Sequence, residues 1–301
     1  MDAADLAARM GLHRAGREWR GTCPACGYGA DAFTLSAGRN GRLLGWCASC
    51  QNRDAIAALL RADGPTAYAP TVAPSTTMKA EEARQKAQAR ARAIWSGAGP
   101  VTAKNPAGRY LARRALAHLA GCPALRYRAD VPHPAARPGA SRHPAMLALV
   151  QDVAGAALGV HRTYLAADGA KARLEPVKAS LGPIWGGAIR LAPAAPHIAI
   201  GEGIESAASA GMLLNLPAWA AISAGNLASG LILPAEVKAV TIAADDDGLN
   251  AQGRNPGLDA AEAAARRWKA EGRAVRIIKA NVQGQDFNDI LQARAAGEAE
   301  Q

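Results

Sequence analysis

The chain has 301 residues, which is enough for two or three domains, and it carries 35 Lys and Arg against 25 Asp and Glu. This charge is unevenly divided, because residues 1–194 hold 26 basic and 12 acidic side chains whereas residues 195–301 hold 9 and 13. A basic first part and an acidic last part suit a protein that binds phosphate backbone with one region and metal with the other. Solvent-exposed Arg on ordinary surfaces would give the same counts.

The sequence has the features of neither a membrane protein nor a secreted protein. It has no run of 18 apolar residues, so we expect no membrane span. Its N-terminus is acidic and lacks the basic start and apolar core of a signal peptide. We therefore expect a cytoplasmic protein, and disulfide bonds are rare in that compartment.

The first 78 residues predict a small module followed by a linker. A short helix over residues 2–10 leads into a Gly- and Cys-rich unit that extends to Cys50, and a second helix follows over 54–61. Residues 63–78 are rich in Pro, Thr and Ala and show no periodicity, which predicts a linker.

The remaining residues predict two helices and then an alternation of strands and helices. The helices are expected at 79–95 and 106–118, and strands at 146–150, 157–165 and 189–191. In the final third the predicted elements lie at 197–201, 203–214, 218–223, 238–244, 257–271, 274–279 and 286–295. Such alternation is typical of an α/β domain with a parallel sheet.

Four cysteines in the first module have the spacing of a zinc ribbon. They form two C-x2-C pairs separated by 20 residues: Cys23, Cys26, Cys47 and Cys50. The module is too small to bury a large core, so one structural Zn²⁺ would supply much of its folding free energy. The expected apolar filling is Phe33, Leu35 and Trp46. A redox pair and two disulfide bonds are the alternatives to zinc.

Two apolar runs in the last third end in carboxylates. Residues 197–201 lead into Glu202 and Glu205, and residues 240–244 lead into the acidic run 245–247. Ligands of α/β sheets lie at the carboxyl ends of the strands, so both clusters should face one crevice. These charges would repel one another without a cation, and carboxylate oxygens favour Mg²⁺. The two clusters together predict a metal-dependent phosphoryl-transfer site. The alternative for Glu202 is a charge that is favoured at a helix N-terminus, and the alternative for residues 245–247 is an ordinary acidic turn.

The acidic clusters resemble a known domain. Gly201-Glu202-Gly203-Ile204-Glu205-Ser206, followed by Asp245-Asp246-Asp247-Gly248, resembles the Toprim domain that DnaG-type primases, topoisomerases and some nucleases share. The segment from Lys279 to Leu291 is similar to the downstream acidic element in primases of phages and mobile elements. The resemblance covers residues 195–295 approximately and implies a Rossmann-like catalytic domain.

The Toprim resemblance implies a role for each acid. It implies Glu202 as general base or metal ligand, and it implies Asp245, Asp247 and Asp286 as ligands of Mg²⁺ or Mn²⁺. The other acids of the two clusters, Glu205 and Asp246, are predicted to be bystanders, and Asp246 should point to the opposite face of its strand.

The basic middle region resembles the subdomain that precedes Toprim in phage and plasmid primases. The matching segments are 105–117, 145–146, 160–165 and 178–182. In DnaG-type enzymes this region carries basic residues that face the template and the incoming nucleotide. The residues that the resemblance implies for this role are Arg162, Lys178, Lys171, Arg173 and Arg109. Their structural alternative is a set of solvent-exposed cations at strand edges.

The predicted architecture is α/β, with a four-cysteine zinc ribbon, a mixed α+β basic subdomain and a Toprim domain in that order. The expected boundaries are 1–62 for the zinc module, 63–78 for the linker, 79–194 for the helical and basic subdomain and 195–297 for Toprim. This order is the one found in DnaG-type primases. The resemblance implies a nucleotidyltransferase that makes short RNA primers on single-stranded DNA from ribonucleoside triphosphates.

Two other functions remain open from the sequence. A Toprim nuclease would use the same metal site with water as the nucleophile. A non-catalytic nucleic-acid-binding replication factor would need no clustered carboxylates. A type I topoisomerase is disfavoured, because its nucleophilic Tyr follows Toprim and this chain has no Tyr beyond Tyr164. The chain also has no Walker A pattern, so we expect a separate replicative helicase as partner, in a phage, plasmid or mobile-element context.

Overall fold

The fold comes from a computed structural model, which describes residues 2–25, 32–38, 42–47, 53–62, 74–134, 141–246, 248–249, 255–280, 282 and 284–299. These residues form a four-stranded sheet near the N-terminus and a ten-stranded sheet in the rest of the chain. Helices pack against the longer sheet. The mixed helix and strand content confirms the predicted α/β class.

The N-terminal module is an antiparallel sheet with one helix before it and one after it in the chain. Helix α1 (Ala3–Arg9) begins with a capping box, because the Asp2 side chain accepts hydrogen bonds from the backbone of Asp5 and the Asp5 side chain accepts one from Asp2. The sheet follows in chain order as β1 (His13–Ala15), β2 (Glu18–Gly21), β3 (Phe33–Ala37) and β4 (Leu43–Cys47). Helix α2 (Arg53–Ala62) comes next and packs against β4.

The core of this module confirms two of the three predicted apolar residues. Phe33 and Leu35 are fully buried, but Trp46 is 40% exposed, so its assignment to the core is wrong. The reason is the alternation of side chains along a strand. Cys47 points into the core, and its neighbour Trp46 therefore points to the other face.

Two helices differ in length from the sequence prediction. Helix α3 (Pro74–Ser96) begins five residues earlier than expected, so residues 74–78 belong to this helix and not to the linker. Helix α4 (Pro106–Ala112) ends six residues before its predicted end, because the backbone of Ala115 is left-handed with φ of 56°. Within the described parts of the chain, no helix is both long and apolar enough to cross a bilayer.

The long sheet joins the middle of the chain to its last third. Its middle-region strands are β5 (Gly99–Pro100), β6 (Leu125–Pro132), β7 (Arg142–Gln151), β8 (Ala157–Tyr164), β9 (Lys178–Leu181) and β10 (Ala188–Arg190). They pair in antiparallel fashion, and β8 lies between β7 and β9. Strands β5, β6 and β9 lie outside the strands predicted from the sequence, and β9 carries Lys178.

The last third contributes four parallel strands. They are β11 (His197–Gly201), β12 (Ala218–Ala220), β13 (Ala239–Ala244) and β14 (Ala274–Lys279), in the spatial order β14, β13, β11, β12. Strand β12 is three residues shorter than predicted, and Ile222 beyond it has a left-handed φ of 78°. An antiparallel pairing between β12 and β10 connects these strands to the middle region.

Three helices accompany the parallel strands: α5 (Ile204–Leu214), α6 (Pro256–Ala270) and α7 (Phe287–Ala299). Helix α5 packs in the apolar cluster that contains Ala220, whereas α6 packs in the cluster that contains Trp219. Adjacent residues of a strand point to opposite faces, so α5 and α6 cover opposite faces of the sheet. The first turns of these helices consequently lie near the carboxyl ends of the strands.

Candidate active site

Two carboxylates lie at the carboxyl ends of neighbouring parallel strands. Glu202 directly follows β11 and Asp245 directly follows β13. The register pairs Gly201 with Ala243, so the two strands end at almost the same level. Neighbouring strands are ~4.8 Å apart, and the two acids therefore belong to one edge of the sheet, as the sequence predicted. Glu202 is buried, with 8% of its surface exposed.

The first turns of two helices hold Asp245 in place. The Ser206 hydroxyl on α5 donates a 2.9 Å hydrogen bond to Oδ1 of Asp245. On α6, Gly257 packs directly against the Asp245 backbone, and a Cβ at position 257 would overlap the Asp245 carbonyl oxygen. Close packing of this kind leaves Asp245 little freedom to move, which suits a residue that must keep a fixed geometry.

Asp246 has a different set of contacts. Its Oδ2 lies 2.9 Å from the ammonium of Lys279 at the end of β14, and its Oδ1 accepts a 2.6 Å hydrogen bond from Asn255. The hydrogen bond from Lys279 holds the pKa of Asp246 below its usual value. Asn255 also caps α6. Asp246 therefore links the ends of two strands to a helix cap.

Of the two further predicted metal ligands, the structure describes Asp286. Asp247 lies outside the described residues. Asp286 caps α7, because its Oδ1 accepts a 2.9 Å hydrogen bond from the backbone of Asp289, whose own side chain accepts one of 3.0 Å from the backbone of Asp286. Within the described parts of the chain, no group of three or more His, Cys, Asp or Glu side chains is arranged to hold a metal ion.

Glu205, predicted to be a bystander, lies at the centre of a buried polar cluster. It is 7% exposed and accepts a hydrogen bond from the Tyr110 hydroxyl of α4. The Lys178 ammonium of β9 lies 3.1 Å from both Glu205 carboxylate oxygens. Burial acts to raise the pKa of Glu205, but Lys178 and the Tyr110 hydroxyl help to lower it to about 2. Glu205 is therefore a buried anion at neutral pH, and burial with the nearby Glu205 charge raises the pKa of Tyr110.

Other cations surround this ion pair. The Arg114 guanidinium lies over the Tyr110 ring, with its carbon 4.3 Å from the ring centroid. Partial burial and the neighbouring Lys178 lower the pKa of Lys171. Lys171 also interacts electrostatically with Arg114 and Glu205. The structure thus brings Lys171, Lys178 and Arg114 close to one another.

The other predicted basic residues have separate surroundings. Arg162 is 5% exposed, and its guanidinium donates hydrogen bonds of 3.0–3.3 Å to the carbonyls of Pro132, Ala179 and Ser180. These bonds join β8 to β9 and to the end of β6, so the buried Arg162 guanidinium holds these strands together. The Arg109 guanidinium donates to the carbonyls of Lys104 and Ala167, and Arg173 is exposed.

Two of the four predicted zinc ligands are described, and they lie close together. Cys47 ends β4 and pairs with Phe33 of β3, which in turn pairs with Gly21 at the end of β2. Cys23 follows two residues later, so both thiols belong to the same end of the sheet. Both are fully buried in one apolar cluster. Cys26 and Cys50 lie outside the described residues.

Comparison with protein families identifies the domain that contains the carboxylates. Residues 197–297 match the family model of the Toprim domain. The chain carries a Toprim domain. This match confirms the resemblance that the motifs around Glu202 and Asp245 implied. Residues 85–191 match the model of a domain of unknown function (DUF7146).

Solved primase structures are similar to the chain at low identity. A DnaG primase catalytic domain bound to ssDNA matches with 15% identity and a TM-score of 0.49, over 73% of this chain and 81% of that one. The zinc-binding and RNA polymerase domains of Aquifex aeolicus primase match with 14% identity and a TM-score of 0.43, over 100% and 82%. The primase fragment of the bacteriophage T7 primase-helicase protein matches with 12% identity and a TM-score of 0.37, over 94% and 98%. No curated protein matches the chain.

Sequence reasoning missed several residues that contact the acids of the Toprim domain. Ser206 and Glu205 are adjacent within the quoted motif, and their positions on the first helical turn were the available signal. Tyr110 and Arg114 are 95 and 91 positions before Glu205, and no pattern in the sequence connects residues so far apart. Only the packing of α4 against the Toprim domain brings them to the site.

Proposed function

We propose that this protein is a DNA primase that makes short RNA primers on single-stranded DNA by Mg²⁺-dependent nucleotidyl transfer. The observation that carries this proposal is the pairing of Glu202 and Asp245 at one edge of the parallel strands of the Toprim domain. Clustered carboxylates repel a polyanion and attract a divalent cation. A phosphate-transfer reaction therefore accounts for them better than nucleic-acid binding alone.

The described acids fit a divalent metal in their chemistry. Carboxylate oxygens are the ligands that Mg²⁺ and Mn²⁺ prefer, and the Ser206 hydrogen bond fixes one Asp245 oxygen. Glu202 and Asp245 would hold the metal, with Asp247 and Asp286 as further proposed ligands. A bound Mg²⁺ would offset the charge of the phosphate oxygens of an incoming nucleotide.

The basic residues of the preceding region supply the charge that the nucleic acid needs. Residues 1–194 carry 26 Lys and Arg against 12 Asp and Glu. We assign Lys178 and Lys171 to the triphosphate, since both interact with the Glu205 carboxylate three residues after Glu202. Arg109 and Arg173 are assigned to the template. Glu202 is the proposed general base for the attacking 3′-hydroxyl of the primer.

The N-terminal module is proposed to hold one structural Zn²⁺ and to contact the template. Cys23 and Cys47 fit this ion, because they are buried at the same end of one sheet and thiolates are preferred zinc ligands. Cys26 and Cys50 complete the proposed set of four. The sheet is small, so a metal bound by these thiolates would supply much of the folding free energy of the module.

The proposed cellular setting follows from the same assignment. We propose a cytoplasmic enzyme of a phage, plasmid or other mobile element, with single-stranded DNA and ribonucleoside triphosphates as ligands. A separate replicative helicase is the proposed protein partner.

The test is an assay for primer synthesis on single-stranded DNA with labelled ribonucleotides and Mg²⁺. The wild-type protein is expected to produce short labelled RNA, and Asp245→Asn and Glu202→Gln are expected to abolish it. The matched control is Asp259→Asn, on the first turn of α6 in the same domain. DNA binding by the Asp245 and Glu202 variants should be retained or become tighter, since negative charge is removed near the nucleic acid.

The same assay separates the two alternative functions. Shortened DNA without new RNA would identify a nuclease that uses the same carboxylates. Neither product, together with tight DNA binding that does not change on substitution of Asp245, would identify a non-catalytic binding factor.

A further inference from the structure

The ion pair between Glu205 and Lys178 joins two parts of the chain that meet at the candidate site. Glu205 lies on the first turn of α5 inside the Toprim domain, three residues after Glu202. Lys178 begins β9, in the region that precedes this domain. The ammonium is 3.1 Å from both carboxylate oxygens, which fixes the end of an otherwise flexible side chain.

The two side chains of this ion pair are exposed to different extents. The Glu205 side chain is 10% exposed, whereas the Lys178 side chain is 33% exposed. The Glu205 carboxylate is buried and already accepts hydrogen bonds from Tyr110 and Lys178, so little of it is open to solvent or substrate. An ammonium has three N–H donors, so the exposed Lys178 can still donate to a phosphate oxygen. The Glu205 carboxylate thus fixes the position of the Lys178 ammonium, and the ammonium is the group that can contact a ligand.

The surrounding charges favour an anion at this place. Lys171 and Arg114 join Lys178 near the buried carboxylate of Glu205. Cations this close to one another repel, and the buried anion reduces that repulsion. Tyr110 fixes the carboxylate through its hydroxyl and supports Arg114 through its ring.

We infer that Glu205 is a positioning residue, which holds the Lys178 ammonium where it contacts the triphosphate of the incoming nucleotide. This inference rests on the proposed function, because a nucleoside triphosphate is the ligand that the proposed reaction requires. Glu205 itself touches neither substrate nor metal and acts only through Lys178.

The inference is tested by a double-mutant cycle in ATP affinity, measured by calorimetry with Mg²⁺ and without template. Glu205→Gln keeps the shape of the side chain but places an amide NH2 against the ammonium, and should weaken ATP binding about tenfold. Lys178→Ala should weaken it by at least as much. The double variant should bind ATP as Lys178→Ala does, because Glu205 has no effect without Lys178.

Two further variants separate positioning from general loss of structure. Tyr110→Phe removes only the hydroxyl bond to Glu205 and should give a smaller loss of ATP affinity in the same direction. Glu262→Gln removes the carboxylate of an exposed ion pair with Arg266 on α6 and should leave ATP affinity unchanged. Circular dichroism of every variant checks that the fold is retained.

The outcomes distinguish this inference from the proposed function. Additive losses in the double variant, or wild-type ATP affinity in Glu205→Gln, would overturn the inference even in a protein that makes primers. A protein that shows the coupled loss of ATP affinity but makes no primers would contradict the proposed function alone. A wild-type protein that does not bind ATP would overturn the inference as well.

Discussion

The Ser206 hydroxyl donates a 2.9 Å hydrogen bond to Oδ1 of Asp245, and this bond connects the first turn of α5 to the end of β13. Hydrogen bonds to a metal-binding carboxylate orient it and typically change metal affinity 10- to 100-fold. We expect Ser206→Ala to raise the Mg²⁺ concentration for half-maximal primer synthesis by about tenfold, with a smaller change in the rate at saturating Mg²⁺. A titration of activity with Mg²⁺ measures this.

The control for Ser206 is Ser229→Ala. Ser229 lies in the Toprim domain, is exposed and donates a hydrogen bond to the nearby backbone carbonyl of Gly225. Its removal should leave the Mg²⁺ dependence unchanged. Equal Mg²⁺ dependence in Ser206→Ala and wild type would mean that Asp245 is oriented by other contacts.

Gly257 gives a second prediction about Asp245. A Cβ at this position would overlap the Asp245 carbonyl oxygen, so Gly257→Ala must displace either α6 or the backbone that carries the Asp245 carboxylate. We expect a loss of ~1–3 kcal/mol in the free energy of unfolding and a strong loss of activity. Urea unfolding and the primer assay measure the two effects.

Gly297→Ala is the matched control for Gly257. Gly297 is exposed in α7 and has no atom near the position of an added Cβ, so the substitution should stabilise the helix by ~0.5–1 kcal/mol. Activity should be unchanged. If Gly257→Ala also kept full activity and stability, the close approach of α6 to Asp245 would not be needed for either property.

The ionisation of Glu205 makes stability depend on pH. Its pKa is about 2 in the folded protein, below its ordinary value of 4.5, so its contribution to stability is complete above pH 4.5 and is lost as the pH falls towards 2. This difference corresponds to stabilisation on the order of 3 kcal/mol. We expect Glu205→Gln to be less stable than wild type at pH 7 and the gap to narrow between pH 4.5 and pH 3. A constant gap across urea titrations at these pH values would contradict the assignment.

Asn226 is expected to be essential for the loop after β12. Its fully buried amide donates 2.8 Å hydrogen bonds to the carbonyls of Gly187 and Ala221, and its oxygen accepts one from the backbone of Gly186. Asn226→Asp keeps the shape but places a carboxylate against two carbonyl oxygens. We predict a loss of ~3 kcal/mol or more at pH 7, smaller at low pH where the carboxyl is protonated. Thermal unfolding at both pH values tests this.

The N-terminal module is expected to bind zinc through its cysteines. We expect one Zn²⁺ per chain by elemental analysis, and Cys23→Ser or Cys47→Ser should lower this content because a ligand is lost. Cys122→Ser is the control, because Cys122 lies outside the module and its thiol donates to the Leu191 carbonyl. Full zinc content in Cys23→Ser would contradict the four-cysteine site.

Local patterns of the sequence were sufficient to predict most of the Toprim strands. The bounds of β11 and β14 agree with the prediction at both ends, since each strand is a short apolar or β-branched run between turn residues. The Glu202 and Asp245 pair was predictable for the same reason, because the carboxyl ends of parallel strands meet at one edge. Helix α4 and strand β12 ended earlier than predicted, each before a left-handed residue that sequence composition does not reveal.

The sequence by itself determined the α/β class, the position of the acidic clusters at the ends of two strands and the spacing of the cysteines, because these depend on residue types at short separations. Tertiary structure decided which charges meet. It places Arg162 against three backbone carbonyls, and it makes Glu205, a predicted bystander, the partner of Lys178 and Tyr110. Contacts between residues 27 and 95 positions apart depend on how helices and strands pack, and that packing is a property of the whole fold.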